Sequence, residues 1–375
     1  MSSQTTMKAV IFDGPHKVSV QDRPIPTIKD PKDVIIKVQA TALCGSELHT
    51  YRGLHDSPTG FIMGHEFVGT VTETGPEVKT IQVGDKVVAP FTVSWFVAFP
   101  STSLSQPPKN KYSMNCFYCL KGFTSRCAHS LLFGSPALDG GQAEFVRVPF
   151  ADGTLMKAPP GIADRALVLT ADIFPTGYFG AKNAFASLGD GELLPASEAI
   201  VVVVGCGPVG LCAIISALEY KPKHLFAVDS VDSRLELARG LGAEPLNFLH
   251  GKEAMLRRVK EVTEGRGADA VIEVVGLSPA LRTAFDLLRP FGMISSIGVH
   301  NAEIPWDGDE AYGKNLRIQF GRCPVRSIAE EALEVLGRNQ HKLSFMFDKI
   351  MPLAEAVEGY DLFDKMKVQK VIFTP

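Results

Sequence analysis

Apolar positions change rhythm about midway along the chain. In the first ~150 residues they come in short alternating runs, such as Val-Ile-Ile-Lys-Val at 34–38 and Phe-Val-Gly-Thr-Val at 67–71, separated by Gly and Pro turns. That is the pattern of half-buried strands, so this region is expected to be a mainly antiparallel β-domain, with a first strand starting at Met7. From Ile200 onward, buried runs alternate with amphipathic stretches. Strands are expected at 200–204, 225–228, 270–274 and 293–297, with helices running to Glu219, from Asp232 and from Pro279. This alternation predicts a parallel, doubly wound α/β sheet. Beyond about Gly321, two further helical patterns and a last strand at 370–373 close the chain, and no internal repeat is visible.

A length of 375 residues exceeds one ordinary hydrophobic core, so two domains are expected. With 45% apolar and 21% charged residues and a formal net charge of -3, the chain has no general attraction for nucleic acid or an anionic membrane. Its partners are expected to be small molecules and other copies of itself. Residues 1–6 lack the basic start and apolar run of a secretory leader, which points to the cytosol. The longest apolar stretch, 199–215, contains Gly205, Gly207, Pro208 and Gly210 and so reads as strand, turn and helix, not as a membrane span. Seven cysteines, an odd number, argue for reduced thiols. Three of them, Cys116, Cys119 and Cys127, crowd one segment and point to a metal.

Four valines at 201–204 run into Gly205-Cys-Gly207-Pro208-Val209-Gly210, a G-x-G-x-x-G motif between a strand and a helix. The first glycine makes the turn, the second admits a pyrophosphate to the backbone and the third lets helix pack on strand. The pyrophosphate would rest on the positive end of the helix starting near Pro208. The next strand ends in Asp229, placed to bind the ribose hydroxyls of a dinucleotide. Its charge would repel a 2'-phosphate, so NAD is favoured over NADP, with Arg234 as the nearest cation.

Cys44, Ser46, Glu47 and His49, then Gly64-His65-Glu66, supply a thiolate, imidazoles and carboxylates in the strand-rich half. A catalytic zinc takes three such ligands and leaves one position open. Cys44-Gly-Ser, Gly64-His65-Glu66, the Val-Gly-Asp-Lys-Val turn at 83–87 and the dinucleotide motif stand in the order and spacing of the zinc-containing medium-chain alcohol dehydrogenases. The resemblance covers the chain from Met7 to Pro375. It implies a GroES-like β-rich catalytic domain over 1–178, a Rossmann NAD-binding domain over 179–320 and a return to the catalytic domain over 321–375. It further implies that Cys44 and His65 bind the catalytic zinc, that Glu66 lies beside the metal and can enter its shell, and that a third ligand precedes the cofactor domain. The segment 170–178 looks most like the glutathione-independent formaldehyde dehydrogenases, and this assigns Asp172 as that ligand.

By the same resemblance, zinc makes a bound alcohol acidic, Ser46 accepts the alcohol proton and His49 exchanges it with water. Thr176 would touch the nicotinamide, Ile297, Gly298 and Val299 would face its carboxamide, and Lys370 would approach the pyrophosphate. Relatives assemble as homodimers or homotetramers by pairing cofactor domains near 293–297 and the segment after it.

The family often carries a second zinc held by four cysteines in the pattern C-x2-C-x2-C-x7-C. Here Cys116, Cys119 and Cys127 supply the last three, but Ser113 stands at the first place, so this structural site is incomplete as written. A run from Trp95 to Ser113 has no family counterpart. It reads either as a loop insertion with a lost metal, or as a translated intron whose removal would join Trp95 and Ser113 codons into a cysteine. Two competing readings of function are a zinc-free quinone or enoyl reductase of the same superfamily and a catalytically silent nucleotide-binding protein.

Overall fold

The alternating runs of the first half form strands in the computed structural model, which describes residues 5–54, 56–95, 116–189 and 194–375. The chain divides into two units, Met1–Asp172 with Pro324–Pro375, and Ile173–Cys323. A boundary at 178 would cut the helix Ile173–Ala186, which groups with the second unit.

In the first unit, Thr6–Gly14 and Lys17–Pro24 form an antiparallel hairpin. A seven-stranded sheet runs Lys349–Pro352, Val371–Thr374, Val34–Leu43, Glu66–Thr74, Lys86–Ala89, Met156–Lys157, with Phe145–Val148 also on Val34–Leu43. Every pairing is antiparallel except that of the two C-terminal strands. Period-two alternation sends Val34, Ile36 and Val38 to one core with Phe67, Val71 and Phe133. Leu43 packs in another with Met63, Tyr360 and Phe373.

The second unit holds six parallel strands in the order Glu244–Asn247, His224–Asp229, Ile200–Val204, Ala268–Glu273, Leu288–Ser296, Arg317–Phe320. In chain order these are the third, second, first, fourth, fifth and sixth, the doubly wound arrangement that binds dinucleotides at the carboxyl ends of its strands. Ile200–Val204 is buried at every position, as a strand covered on both faces must be. The strand Glu244–Asn247 and the helix Lys252–Val262 lie outside the elements expected from the apolar pattern.

The strand Leu288–Ser296 is paired on both sides, so it offers no edge to a second subunit. The free edge on that side among the described residues is Arg317–Phe320. Among the described residues no helix is long and apolar enough to cross a membrane.

Candidate metal and dinucleotide sites

Cys44 directly follows Val34–Leu43, and His65 directly precedes Glu66–Thr74. These strands are neighbours, with Ala42 opposite Glu66, so sheet register alone brings the two side chains to one end. The short helical stretch Val168–Ala171 delivers Asp172, anchored by the Phe91 amide donating to the Ala171 carbonyl at 3.0 Å. The ligand atoms of Cys44, His65, Glu66 and Asp172 all lie within 4.8 Å of one another. Asp172 Oδ2 is 3.6 Å from Cys44 Sγ and 3.3 Å from His65 Nε2.

These spacings test whether a zinc fits. Tetrahedral zinc with bonds of about 2.0–2.3 Å has ligand-to-ligand edges of ~3.3–3.8 Å, which the two measured separations match. Glu66 points the same way: its Oε1 is held by Lys370 at 2.7 Å, while its buried Oε2 has no hydrogen-bond partner among the described residues.

The electrostatics describe a cluster in need of a cation. Burial pushes the Cys44 thiol up, and the Glu66 and Asp172 carboxylates push it further. Burial likewise raises the Glu66 carboxyl, opposed by Lys370. Burial alone would lower His65, but Cys44, Glu47 and the hydrogen bonds to Asp172 and Cys44 hold it well above its ordinary value. A bound dication would favour the thiolate, the carboxylates and the neutral imidazole together.

Behind the ligands stands a network that the motifs did not single out as functional. Glu47 Oε2 accepts the Cys44 amide at 2.8 Å, and its Oε1 lies 3.9 Å from His65 Nδ1. Gln142 donates to both Glu47 oxygens at 3.3 and 3.4 Å and accepts from the Tyr360 hydroxyl at 2.9 Å. Glu47 was within reach of the sequence because it sits three residues after Cys44. Gln142 and Tyr360 carry no local signal.

Ser46 Oγ lies 3.4 Å from both Cys44 Sγ and His65 Nε2. His49 is half-buried on the short helix Glu47–Tyr51. Lys370, expected near a pyrophosphate, has its ammonium committed to Glu66.

Cys116, Cys119 and Cys127 gather a second set of sulfurs within 4.8 Å, and no further Cys, His, Asp or Glu joins them among the described residues. Trp95 packs on this cluster and stacks on Phe150. Ser113, at the place of the absent ligand, and the rest of the run after Trp95 lie outside the described residues.

In the second unit, Gly205 closes the strand Ile200–Val204 and Gly207 caps the helix Pro208–Leu218. A side chain at Gly207 would enter open space, so this glycine leaves room for a ligand. One at Gly210 would come 1.8 Å from the Gly205 carbonyl oxygen, so that glycine serves packing. Val209 lies in the first turn beside Pro208. Asp229 grips the surrounding backbone: Oδ2 accepts the Cys206 amide at 2.7 Å, and Oδ1 accepts those of Ser230 and Val231 at 2.7 and 2.9 Å. Arg234 is half-buried on the helix Asp232–Leu241. Thr176 lies in the first turn of Ile173–Ala186. Ile297, Gly298 and Val299 follow the carboxyl end of Leu288–Ser296, where Glu273 accepts the Ile297 amide through its main-chain oxygen at 2.9 Å. An open cradle over exposed helix amides beside a fixed carboxylate suits a dinucleotide.

Comparison with known proteins gives two family matches: the alcohol dehydrogenase GroES-like domain over residues 30–160 and the zinc-binding dehydrogenase model over residues 208–336. A zinc-type alcohol dehydrogenase B of Aspergillus flavus is 62% identical over 373 residues, covering 100% of this chain and 82% of the relative. A medium chain reductase/dehydrogenase of an Acremonium species is 55% identical, covering 83% of this chain and 99% of the relative. Among solved structures, an alcohol dehydrogenase of Thermus sp. ATN1 superposes with a TM-score of 0.85 at 32% identity, covering 98% of this chain and 99% of that one.

Proposed function

The chain belongs to the zinc-containing medium-chain alcohol dehydrogenases, and we propose that it oxidises a small alcohol to the carbonyl, or a hydrated aldehyde to the carboxylic acid, with NAD as the acceptor. Cys44, His65 and Asp172 hold the zinc, with Glu66 as an alternate ligand. When bound, zinc supplies a Lewis acid that makes an alcohol hydroxyl acidic near neutral pH. Ser46 accepts the alcohol proton, and His49 exchanges it with water. Glu47 fixes the Cys44 backbone and places a carboxylate 3.9 Å from His65 Nδ1, where its charge supports the ring from behind. Asp229 takes the adenosine ribose, Arg234 lies beside it, and the Gly207 and Val209 amides at the start of Pro208–Leu218 take the pyrophosphate. Thr176 and residues 297–299 border the nicotinamide.

The observation that carries this reading is the convergence of sulfur, imidazole nitrogen and carboxylate oxygen at the spacings of a zinc tetrahedron. A zinc-free reductase has no use for that set. The test is a zinc-replete assay of NAD reduction over primary alcohols, polyols and hydrated aldehydes. Turnover by the parent and none by Cys44→Ser is expected, whereas NAD binding without turnover on any substrate would favour a silent nucleotide-binding protein. The same reading makes the protein a cytosolic dimer or tetramer joined through the edge strand Arg317–Phe320, and a monomer in light scattering would count against that assembly.

A further inference from the structure

A cavity of about 400 Å³ lies in the second unit where Gly265 and Gly267 lead into the strand Ala268–Glu273 and where Leu288 begins the next. In a parallel sheet this is the amino-terminal edge. The glycine turn at 205–207 is at the opposite edge, about 20 Å away for a six-residue strand rising ~3.3 Å per residue. Nothing in the dehydrogenase reading uses this place.

Its lining is strongly biased in charge, with Lys260, Arg266, Arg282 and Lys314 against one carboxylate, Asp286. Two helices end here, Lys252–Val262 and Ser278–Leu287, and bare helix C-termini would repel an anion. Both ends are answered internally. Lys314 donates to the Phe285 and Leu288 carbonyls, and the Thr263 and Gly265 amides close on the Lys260 carbonyl. Arg282 is engaged by Asp286 at 2.9 Å and by Glu310 at 2.6 Å. The remaining charge lies on Lys260, which makes no ion pair among the described residues, and on Arg266, which lies 3.6 Å from an Asp269 already held by Arg289 at 2.6 Å.

The accessible apolar part of the wall is half-buried Leu256 with exposed Pro290, in front of buried Val259, Phe285, Leu287 and Leu288. Arg282 and Lys314 lie 5.0 and 4.4 Å from the Phe285 ring centroid, so positive charge borders the aromatic surface. Burial lowers the Lys314 pKa, Asp286 opposes that, and repulsion from Arg282 and Lys260 adds to it. That mutual repulsion is what a bound anion would relieve. The volume falls in the range of small-molecule sites.

We propose that this cavity binds an organic anion, with its carboxylate, sulfonate or phosphate near Lys260 and Arg266 and its apolar body against Leu256 and Pro290. The test titrates the full-length protein, saturated with NAD to block the dinucleotide site, with the fluorescent probe anilinonaphthalene sulfonate and, separately, with its uncharged counterpart phenylnaphthylamine. Charge reversal by Lys260→Glu with Arg266→Glu should weaken sulfonate binding at least about tenfold and leave the neutral dye unchanged. Lys260→Arg with Arg266→Lys should stay within about twofold of the parent, since charge is kept. Both pairs should retain alcohol oxidation, and the pair that keeps the charge should retain the parent's melting temperature. The proposal is overturned if the reversed variant binds the sulfonate as the parent does, if the neutral dye binds the parent equally well, or if NAD alone displaces the probe.

Discussion

Lys370 Nζ donates to Glu66 Oε1 at 2.7 Å, and the two side chains are 1% and 0% exposed. The sheet makes this pair: Val371–Thr374 runs antiparallel to Val34–Leu43, which in turn pairs with Glu66–Thr74. Lys370 offsets the charge of Glu66, leaving the Cys44 thiolate and the Asp172 carboxylate to balance a dication. Removing one partner of a buried pair strands the other charge, so Lys370→Met should destabilise the protein by ~3–5 kcal/mol. The double variant Glu66→Gln/Lys370→Met should recover much of that loss. Urea unfolding of the three proteins checks this, and a Lys370→Met variant as stable as the parent would refute it.

Asp229 holds three backbone amides as well as facing the nucleotide cradle. Asp229→Ala should therefore weaken NADH binding by about tenfold or more, on the order of one or two charge-assisted hydrogen bonds, and narrow the preference over NADPH. Fluorescence titration with both cofactors measures the ratio. Equal affinity of the unmodified protein for the two would contradict the role given to this carboxylate.

The Ser46 hydroxyl sits beside two metal ligands without belonging to the ligand set. Ser46→Ala should lower kcat by about 10²–10⁴, the usual contribution of a positioned proton acceptor, while zinc content stays at the parent value. A variant with unchanged kcat would mean that the proton leaves by another route.

Among the described residues, the three sulfurs of Cys116, Cys119 and Cys127 gather without a fourth Cys, His, Asp or Glu. The purified chain should contain nearer one zinc than two per subunit. Replacing residues 95–113 by a single cysteine should raise the content toward two and increase resistance to heat, because metal bound only by the folded lobe stabilises it. Elemental analysis of both forms decides, and two tightly held zincs in the unaltered chain would show that another residue completes the site.

What could be read from the sequence was whatever a short window contains. Ile200–Val204 is a continuous apolar run leading into a glycine turn, and Asp229 ends the strand after it. By contrast, Glu-Pro-Leu-Asn at Glu244–Asn247 is half-exposed at every position and contains a proline, so only its pairing with His224–Asp229 makes it a strand. The support around the metal ligands was hidden for a different reason. Tyr360 meets Gln142 across 218 positions, and Lys370 meets Glu66 across 304. The first contact packs a helix on a loop and the second follows the pairing of distant strands, and local periodicity encodes neither. An apolar run at 293–297 does not reveal that a later, more polar strand, Arg317–Phe320, pairs with it and takes the free edge on that side.

The most direct test of the central claim is alcohol-dependent NADH formation measured on one preparation before zinc removal, after chelation and dialysis, and after zinc is restored. The account predicts that turnover falls to background as zinc is lost and returns in proportion to zinc regained, while NADH binding by the zinc-free protein persists because Gly205, Gly207, Gly210 and Asp229 belong to the second unit. Full turnover by the zinc-free protein would contradict it and make the chain a metal-independent reductase on the same fold.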